Sequence, residues 1–175
     1  SAANFVELNI QFVYAIIENS TKIPVFIGSA ITFEGEIYKT VSPTKGIYTE
    51  IYDDFQYEVF ELSYNTVYNI QKYLGTEDSV DIQVNTFGGI KEKAFEGNQF
   101  IEEIKIDMPL MTCLGDRAFA DCKNLKDIYF YSDIKNEVGK DIFKGSDNVV
   151  IHCYEDYKNI RKYAEENNIQ VEIIK

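Results

Sequence analysis

Few residues of this chain have the types and spacing that catalysis requires. His152 is the single histidine among 175 residues, so any catalytic triad or histidine-based metal site must include it. Its neighbour Cys153 carries a potential nucleophile, but adjacent residues of a strand point to opposite faces and their side chains cannot readily meet. The sequence therefore predicts no enzyme, and a small hydrolase is the least favoured function.

The acidic and glycine pairs favour structural roles over chemical ones. Glu102-Glu103 and Glu165-Glu166 occupy polar positions that are typical of solvated faces. Asp53-Asp54 lacks the ordered series of ligands that a calcium loop requires. Gly88-Gly89 lacks the Lys-Ser/Thr of a phosphate-binding loop, so we expect a turn between repeats there. The sequence accordingly predicts no cofactor and no metal ion.

The composition indicates one globular domain, or one domain with a small appendage. The formal charge of −12 argues against binding to nucleic acid, which needs a basic face, and against an anionic membrane surface. No apolar run reaches the length of about 18 residues that a membrane-spanning helix needs. Tyrosine and phenylalanine, 13 and 12 residues, favour strands because aromatic rings pack well on a pleated surface.

The three cysteines have neither the spacing of a metal site nor the even number of a disulfide framework. Unpaired cysteine usually packs as a small apolar residue. We therefore expect Cys122 and Cys153 to be buried thiols, with no disulfide bond to Cys113.

One short pattern occurs three times in the second half of the chain. Its first block ends on a phenylalanine that recurs every 24 residues, at Phe95, Phe119 and Phe143. A second apolar block follows, first as Ile101-x-x-Ile104-x-Ile106 and then as Leu125-x-x-Ile128-x-Phe130. A fixed period of this length predicts an α/β solenoid of leucine-rich repeats, in which short helical turns connect the strands of a parallel sheet.

The solenoid is expected to cover residues 55–154, between two different ends. Residues 1–54 are expected to form a β-rich N-terminal unit or cap, with strands predicted at 5–17, 23–27, 30–33, 36–41 and 47–52, and with a helix over 12–17 as the less favoured alternative to the end of the first strand. Further strands are predicted at 55–61 and 66–73. Residues 155–175 form a C-terminal cap, with a helix at 155–167 and a strand at 169–174, that covers the open end. The last repeat is one residue short. We therefore expect its register to shift by one residue, so that Ile151 and Cys153 stay inside.

The repeats resemble the BspA-like leucine-rich-repeat family of bacterial surface proteins. The resemblance covers about residues 55 to 175 and rests on three stretches: Leu114–Leu125, Tyr73–Thr76 and Tyr163–Asn167. It implies a binding or adhesion module and an extracellular or cell-surface location. It indicates neither the ligand nor the oligomeric state.

The alternation along each predicted strand gives the candidate ligand-binding residues. If the isoleucines point inward, two columns of residues point outward across the sheet: Asp81, Lys105, Tyr129 and His152 in one, and Gln83, Asp107, Tyr131 and Tyr154 in the other. Tyr129, Tyr131, His152 and Tyr154 would then form an aromatic patch beside Lys105 and Asp107. In the alternative, these rings only stack on one another or lie beneath the C-terminal cap.

Two functions of different classes follow from this arrangement. The favoured one is a non-enzymatic binding or adhesion module that recognises a protein or a glycan through the exposed face of the sheet. The alternative is a structural spacer whose repeats support another domain. An exposed aromatic face favours binding, because tyrosine is an effective interface anchor, whereas a spacer needs only a polar face.

Overall fold

A computed structural model describes residues 30–33, 36–39, 46–61 and 65–175. The strands predicted at 5–17 and 23–27 lie outside these residues. The chain divides into two compact units, the first comprising residues 1–47 and 61–64 and the second residues 48–60 and 65–175. In the first unit, β1 (Ala30–Phe33) pairs antiparallel with β2 (Glu36–Lys39), and the last two residues of the strand predicted at 36–41 lie outside the described residues.

The repeats of the second unit build two sheets. The five-stranded sheet has the order β6-β8-β10-β12-β13, with neighbouring strands parallel. Its strands are β6 (Ser79–Gln83), β8 (Glu103–Asp107), β10 (Asp127–Phe130), β12 (Val150–Cys153) and β13 (Gln170–Ile173). The inward side chains Val80, Ile104, Ile128 and Ile151 lie in register, so the predicted one-residue shift in the last repeat is confirmed.

The six-stranded sheet has the order β3-β4-β5-β7-β9-β11. Its strands are β3 (Gly46–Tyr52), β4 (Phe55–Glu61), β5 (Thr66–Tyr73), β7 (Phe87–Ile90), β9 (Met111–Leu114) and β11 (Glu137–Val138). The bounds predicted for β4 and β5 are confirmed. The sequence did not predict β7, β9 and β11, which give each repeat a second strand.

The expected turn at Gly88-Gly89 is wrong, because both glycines belong to β7. Adjacent strands approach so closely here that a Cβ atom at Gly88 would overlap the carbonyl oxygen of Tyr68. A Cβ atom at Gly89 would overlap Cys113 on the neighbouring strand. These glycines therefore allow close strand pairing and do not reverse the chain.

The phenylalanines of the repeats form the predicted stack through the core. Ring centroids are 4.8 Å apart between Phe95 and Phe119 and 5.6 Å apart between Phe119 and Phe143. Phe119 is completely buried. Tyr73 extends the stack at one end and Tyr163 at the other. The period of 24 residues seen in the sequence is thus the spacing of one turn of the solenoid.

One position of each repeat, held by Asn98, Cys122 and Ser146, carries a different side chain whose polar atom bonds to the backbone of a turn. Asn98 Oδ1 accepts a hydrogen bond from the amide of Ile101 at 3.0 Å. Ser146 Oγ accepts from the amide of Cys122 and donates to the carbonyl of Phe119, each at 2.8 Å. Cys122 is buried, and burial raises the pKa of its thiol to about 11. This repeat position is therefore structural.

The C-terminal cap consists of α1 (Lys158–Glu166) followed by β13, so the helix is shorter than predicted. It starts later because residues 155–156 form a turn, and it ends before Asn168, which adopts the left-handed conformation at φ 56°. Ile160 and Ala164 bury one face of the helix. The hydroxyl of Tyr163 accepts a hydrogen bond from the amide of Ile142 at 2.8 Å, which ties the cap to the last repeat. Within the described ranges, no helix has the length and apolar character to cross a membrane.

Candidate binding face

The side chains that point away from the core on the five-stranded sheet form one surface, here called the outer face. Strand pairing places Asp81, Lys105, Tyr129, His152 and Glu172 side by side across five strands. The first of the two predicted columns therefore forms, and β13 extends it by one residue. In the second column, Gln83 and Asp107 are partners in register, and Tyr131 and Tyr154 follow the ends of their strands.

The aromatic residues of the outer face are partly stacked and partly exposed. Tyr129 stacks on His152 with ring centroids 4.2 Å apart and planes 11° apart, and it stacks on Tyr131 at 6.2 Å. The pKa of Tyr129 is raised mainly by burial, with a smaller contribution from the carboxylate of Asp127. Tyr131 and Tyr154 each remain 36% exposed. Mutual stacking thus holds the centre of the patch, while its other two rings face solvent.

His152 lies between two carboxylates from neighbouring strands. Its Nε2 is 2.7 Å from Oδ1 of Asp127, and its Nδ1 is 3.6 Å from Oε2 of Glu172. The side chain of Cys153 is completely buried on the opposite face, and burial raises the pKa of its thiol. The neighbouring histidine and cysteine therefore do not meet, as the strand geometry predicts.

Lys105 and Asp107 lie on the outer face, and both have partners there. Lys105 Nζ is 2.8 Å from a carboxylate oxygen of Glu103, which also accepts a hydrogen bond from Ser79 at 2.9 Å. The contact with Lys105 and, to a smaller extent, the contact with Ser79 hold the pKa of Glu103 below its ordinary value. Asp107 accepts a hydrogen bond from Ser132 at 3.3 Å. The one lysine of this surface is therefore already neutralised.

Sequence reasoning missed Tyr157, which the structure adds to the patch. Its hydroxyl donates a hydrogen bond to the carbonyl of Tyr131 at 2.8 Å, and its ring packs edge-on against Tyr154 at 5.4 Å. Burial raises its pKa. The sequence placed Tyr157 on a helix, whereas it precedes α1 and reaches the end of β10. The cap thus supports the two exposed rings from one side and does not cover them.

A cleft lies between the last repeat and the cap. This cleft of about 510 Å³ is lined by Phe143 and Tyr163 and by polar side chains that include Asp147, Asn148 and Gln170. Tyr163 is held there by its bond to the backbone, and burial raises its pKa. In the part of the chain that the structure describes, no three His, Cys, Asp or Glu side chains gather to hold a metal ion.

All three cysteines are thiols. Cys122 and Cys153 are buried, as predicted, and Cys113 is partly buried on β9.

Comparison with known proteins agrees with the repeat architecture. A family model described as a BspA type leucine-rich repeat region (6 copies) matches residues 46–172. A crystal structure of a leucine-rich repeat protein from Bacteroides capillosus ATCC 29799 is similar at 18% identity over 59% of this chain and 70% of that one, with a TM-score of 0.37. Among curated proteins there is no significant match. Because the family match spans more than half of its residues, this chain belongs to the BspA type leucine-rich repeat family.

Proposed function

We propose that this chain is a non-enzymatic binding or adhesion module that recognises a partner through the outer face. The exposure of Tyr131 and Tyr154 on a rigid parallel sheet carries the proposal. Leucine-rich repeat proteins commonly bind proteins, and this family is generally associated with bacterial surfaces. We therefore favour a protein partner, and a location at the cell surface or outside the cell.

The packing of the patch supports binding on energetic grounds. Tyr129 is fixed by its stack on His152, and Tyr157 holds the end of β10 through the carbonyl of Tyr131. Side chains that are already ordered lose little entropy when a partner binds. Tyrosine also combines a large ring with a polar hydroxyl, which makes it a frequent centre of binding energy. A spacer would gain nothing from exposing two such rings, so the spacer alternative is less favoured.

A pair of matched double variants tests the proposal. The chain and its variants are screened on peptide and glycan arrays, and the affinities for the hits are measured by biolayer interferometry. Tyr131→Ala with Tyr154→Ala is expected to weaken binding by about 2 kcal/mol or more, as loss of central aromatic contacts does. The control is Tyr52→Ala with Phe100→Ala, which removes two rings that are 65% and 53% exposed outside the outer face.

The control pair is expected to bind every hit as the original chain does. Because all four rings are solvent-exposed, both double variants should lose only about 1 kcal/mol of folding stability or less. Equal affinities of the original chain and the Tyr131/Tyr154 variant for every hit would contradict the proposal. An absence of hits on both arrays would contradict it as well.

A further inference from the structure

The outer face has a charge imbalance that its aromatic residues do not explain. Five carboxylates lie on it, both on the edge strands and on the strands between them: Asp81, Glu103, Asp107, Asp127 and Glu172. Against these five groups stand Lys105, which is already paired with Glu103 at 2.8 Å, and His152, whose Nε2 is 2.7 Å from Asp127. The surface therefore has carboxylates left over for a cation that the chain itself does not supply.

The exposed rings lie next to two of these carboxylates. The amide of Tyr131 donates to the carbonyl of Ile106, which places Tyr131 beside Asp107. On the other side, Glu172 lies in register with His152 and is more than half exposed. A tyrosine ring attracts a cation to its face, and a nearby carboxylate attracts the same cation directly. Rings and carboxylates together are the groups that recognise lysine and, above all, arginine, whose planar guanidinium both stacks and forms paired hydrogen bonds.

We propose that the outer face binds an arginine- or lysine-bearing segment of a protein partner. The inference rests on the proposed function and names the chemical class of the partner. In this arrangement, the segment crosses the strands with its cationic side chains over Tyr131 and Tyr154. Its charges are met by Asp107 at one end and by Glu172 at the other.

The charge of the face disfavours other occupants. Acidic peptides, nucleic acids and anionic lipids carry the same sign as the surplus carboxylates and are repelled. A neutral glycan can stack on the rings, but it leaves the carboxylates without a cationic partner. Binding of a basic segment uses both kinds of group, so charge complementarity favours it.

The length of a suitable probe follows from the sheet. Neighbouring strands lie about 4.8 Å apart, so five strands span about 19 Å, which an extended peptide of about six residues covers. Fluorescein-labelled hexa-arginine is the probe, with hexa-lysine, hexa-glutamate and a neutral oligosaccharide as comparisons. Affinity is measured by fluorescence anisotropy at an ionic strength of about 0.15 M, where contacts beyond about 8 Å are largely screened.

Two double variants with equal net charge separate a specific site from general attraction to an acidic protein. Asp107→Asn with Glu172→Gln removes two carboxylates of the outer face and retains the oxygens that accept hydrogen bonds from Ser132 and Gln170. Glu50→Gln with Glu92→Gln removes two exposed carboxylates outside this face. We expect hexa-arginine to bind the first variant about fivefold more weakly or worse, and the second within about twofold of the original chain.

The same measurements distinguish this inference from the proposed function. Equal loss in the two charge variants, or preference for hexa-glutamate or the oligosaccharide, would overturn the cationic partner. The outer face would still be the binding surface if Tyr131→Ala with Tyr154→Ala abolished binding to that other ligand. Hexa-arginine affinity that is lower for both the carboxylate variant and the tyrosine variant supports the inference. Failure of hexa-arginine to bind the original chain overturns it.

Discussion

The two sheets of the solenoid share one core but differ in what they present outside it. On the five-stranded sheet, the outward positions hold long charged and aromatic side chains, of which Tyr131 and Tyr154 remain exposed. On the six-stranded sheet, polar groups bond to the sheet itself: Gln56 donates to Gln71 at 2.8 Å, and Thr112 donates to the carbonyl of Gly88 at 3.0 Å. The six-stranded sheet also exposes a ring, Tyr52 at 65%, so the five-stranded sheet is distinguished by exposed rings that lie beside carboxylates of neighbouring strands.

A repeat period constrains the inward positions far more than the outward ones. Both sheets bury apolar residues from every repeat, such as Ile104 and Ile128 on one and Ile90 and Leu114 on the other. The outward residues change from repeat to repeat, from Asp81 through Lys105 to Tyr129. Because packing does not determine these residues, they are free to determine binding.

The largest expected effect comes from the core that both sheets share. Phe119→Ala should lower the free energy of unfolding by about 3–5 kcal/mol, because it opens a cavity between the rings of Phe95 and Phe143. Urea denaturation measures the loss. Phe100→Ala, at a ring that is 53% exposed, is the control and should cost less than about 1 kcal/mol. Similar losses of unfolding free energy for the two variants would contradict a core that both sheets share.

How far the sequence could predict this fold depends on how strongly each residue is constrained. The inward residues were predictable because each repeat buries the same kind of side chain at the same position, every 24 residues, as at Phe95 and Phe119. Strands β7, β9 and β11 of the six-stranded sheet were not, because they have only four, four and two residues. Two of those residues, Gly88 and Gly89, have low strand propensity and looked like a turn.

The candidate site was predictable to a similar extent. Strand alternation was sufficient to place Lys105, Tyr129 and His152 in one column. It was not sufficient for Tyr157, because the path of the chain after β12 depends on tertiary packing, which brings this ring to Tyr154. Nor did it indicate that Glu172 would join the column, because that depends on how the cap strand pairs.

The second largest effect should be confined to the six-stranded sheet. Gly88→Ala is expected to destabilise the protein by about 1–3 kcal/mol, because the new Cβ atom would overlap a backbone oxygen that cannot rotate away. Val150→Ile adds a carbon at an outward position of the five-stranded sheet and should change stability by less than about 0.5 kcal/mol. Thermal or urea unfolding compares the two. Equal costs would remove the contrast in packing between the sheets.

The smallest effect concerns the ion pair on the outer face. The contact with Lys105 lowers the pKa of Glu103, so this carboxylate stabilises the fold above its ordinary pKa and loses that contribution as pH falls through the lowered value. Glu103→Gln should therefore flatten the decline in urea midpoint between about pH 5 and pH 2, compared with the original chain. Glu50→Gln, outside this sheet, is the control. A steeper decline in the Glu103 variant would reverse the assigned sign.

The most direct test of the central claim asks which sheet a ligand touches. Tyrosine ring signals are recorded by NMR on selectively labelled protein, assigned through single Tyr→Phe variants, and followed during titration with hexa-arginine and with each array hit. The signals of Tyr131 and Tyr154 are expected to shift with the ligand, while that of Tyr52, which is 65% exposed on the six-stranded sheet, is expected to stay in place. Shifts at Tyr52 with none at Tyr131 and Tyr154 would contradict the central claim.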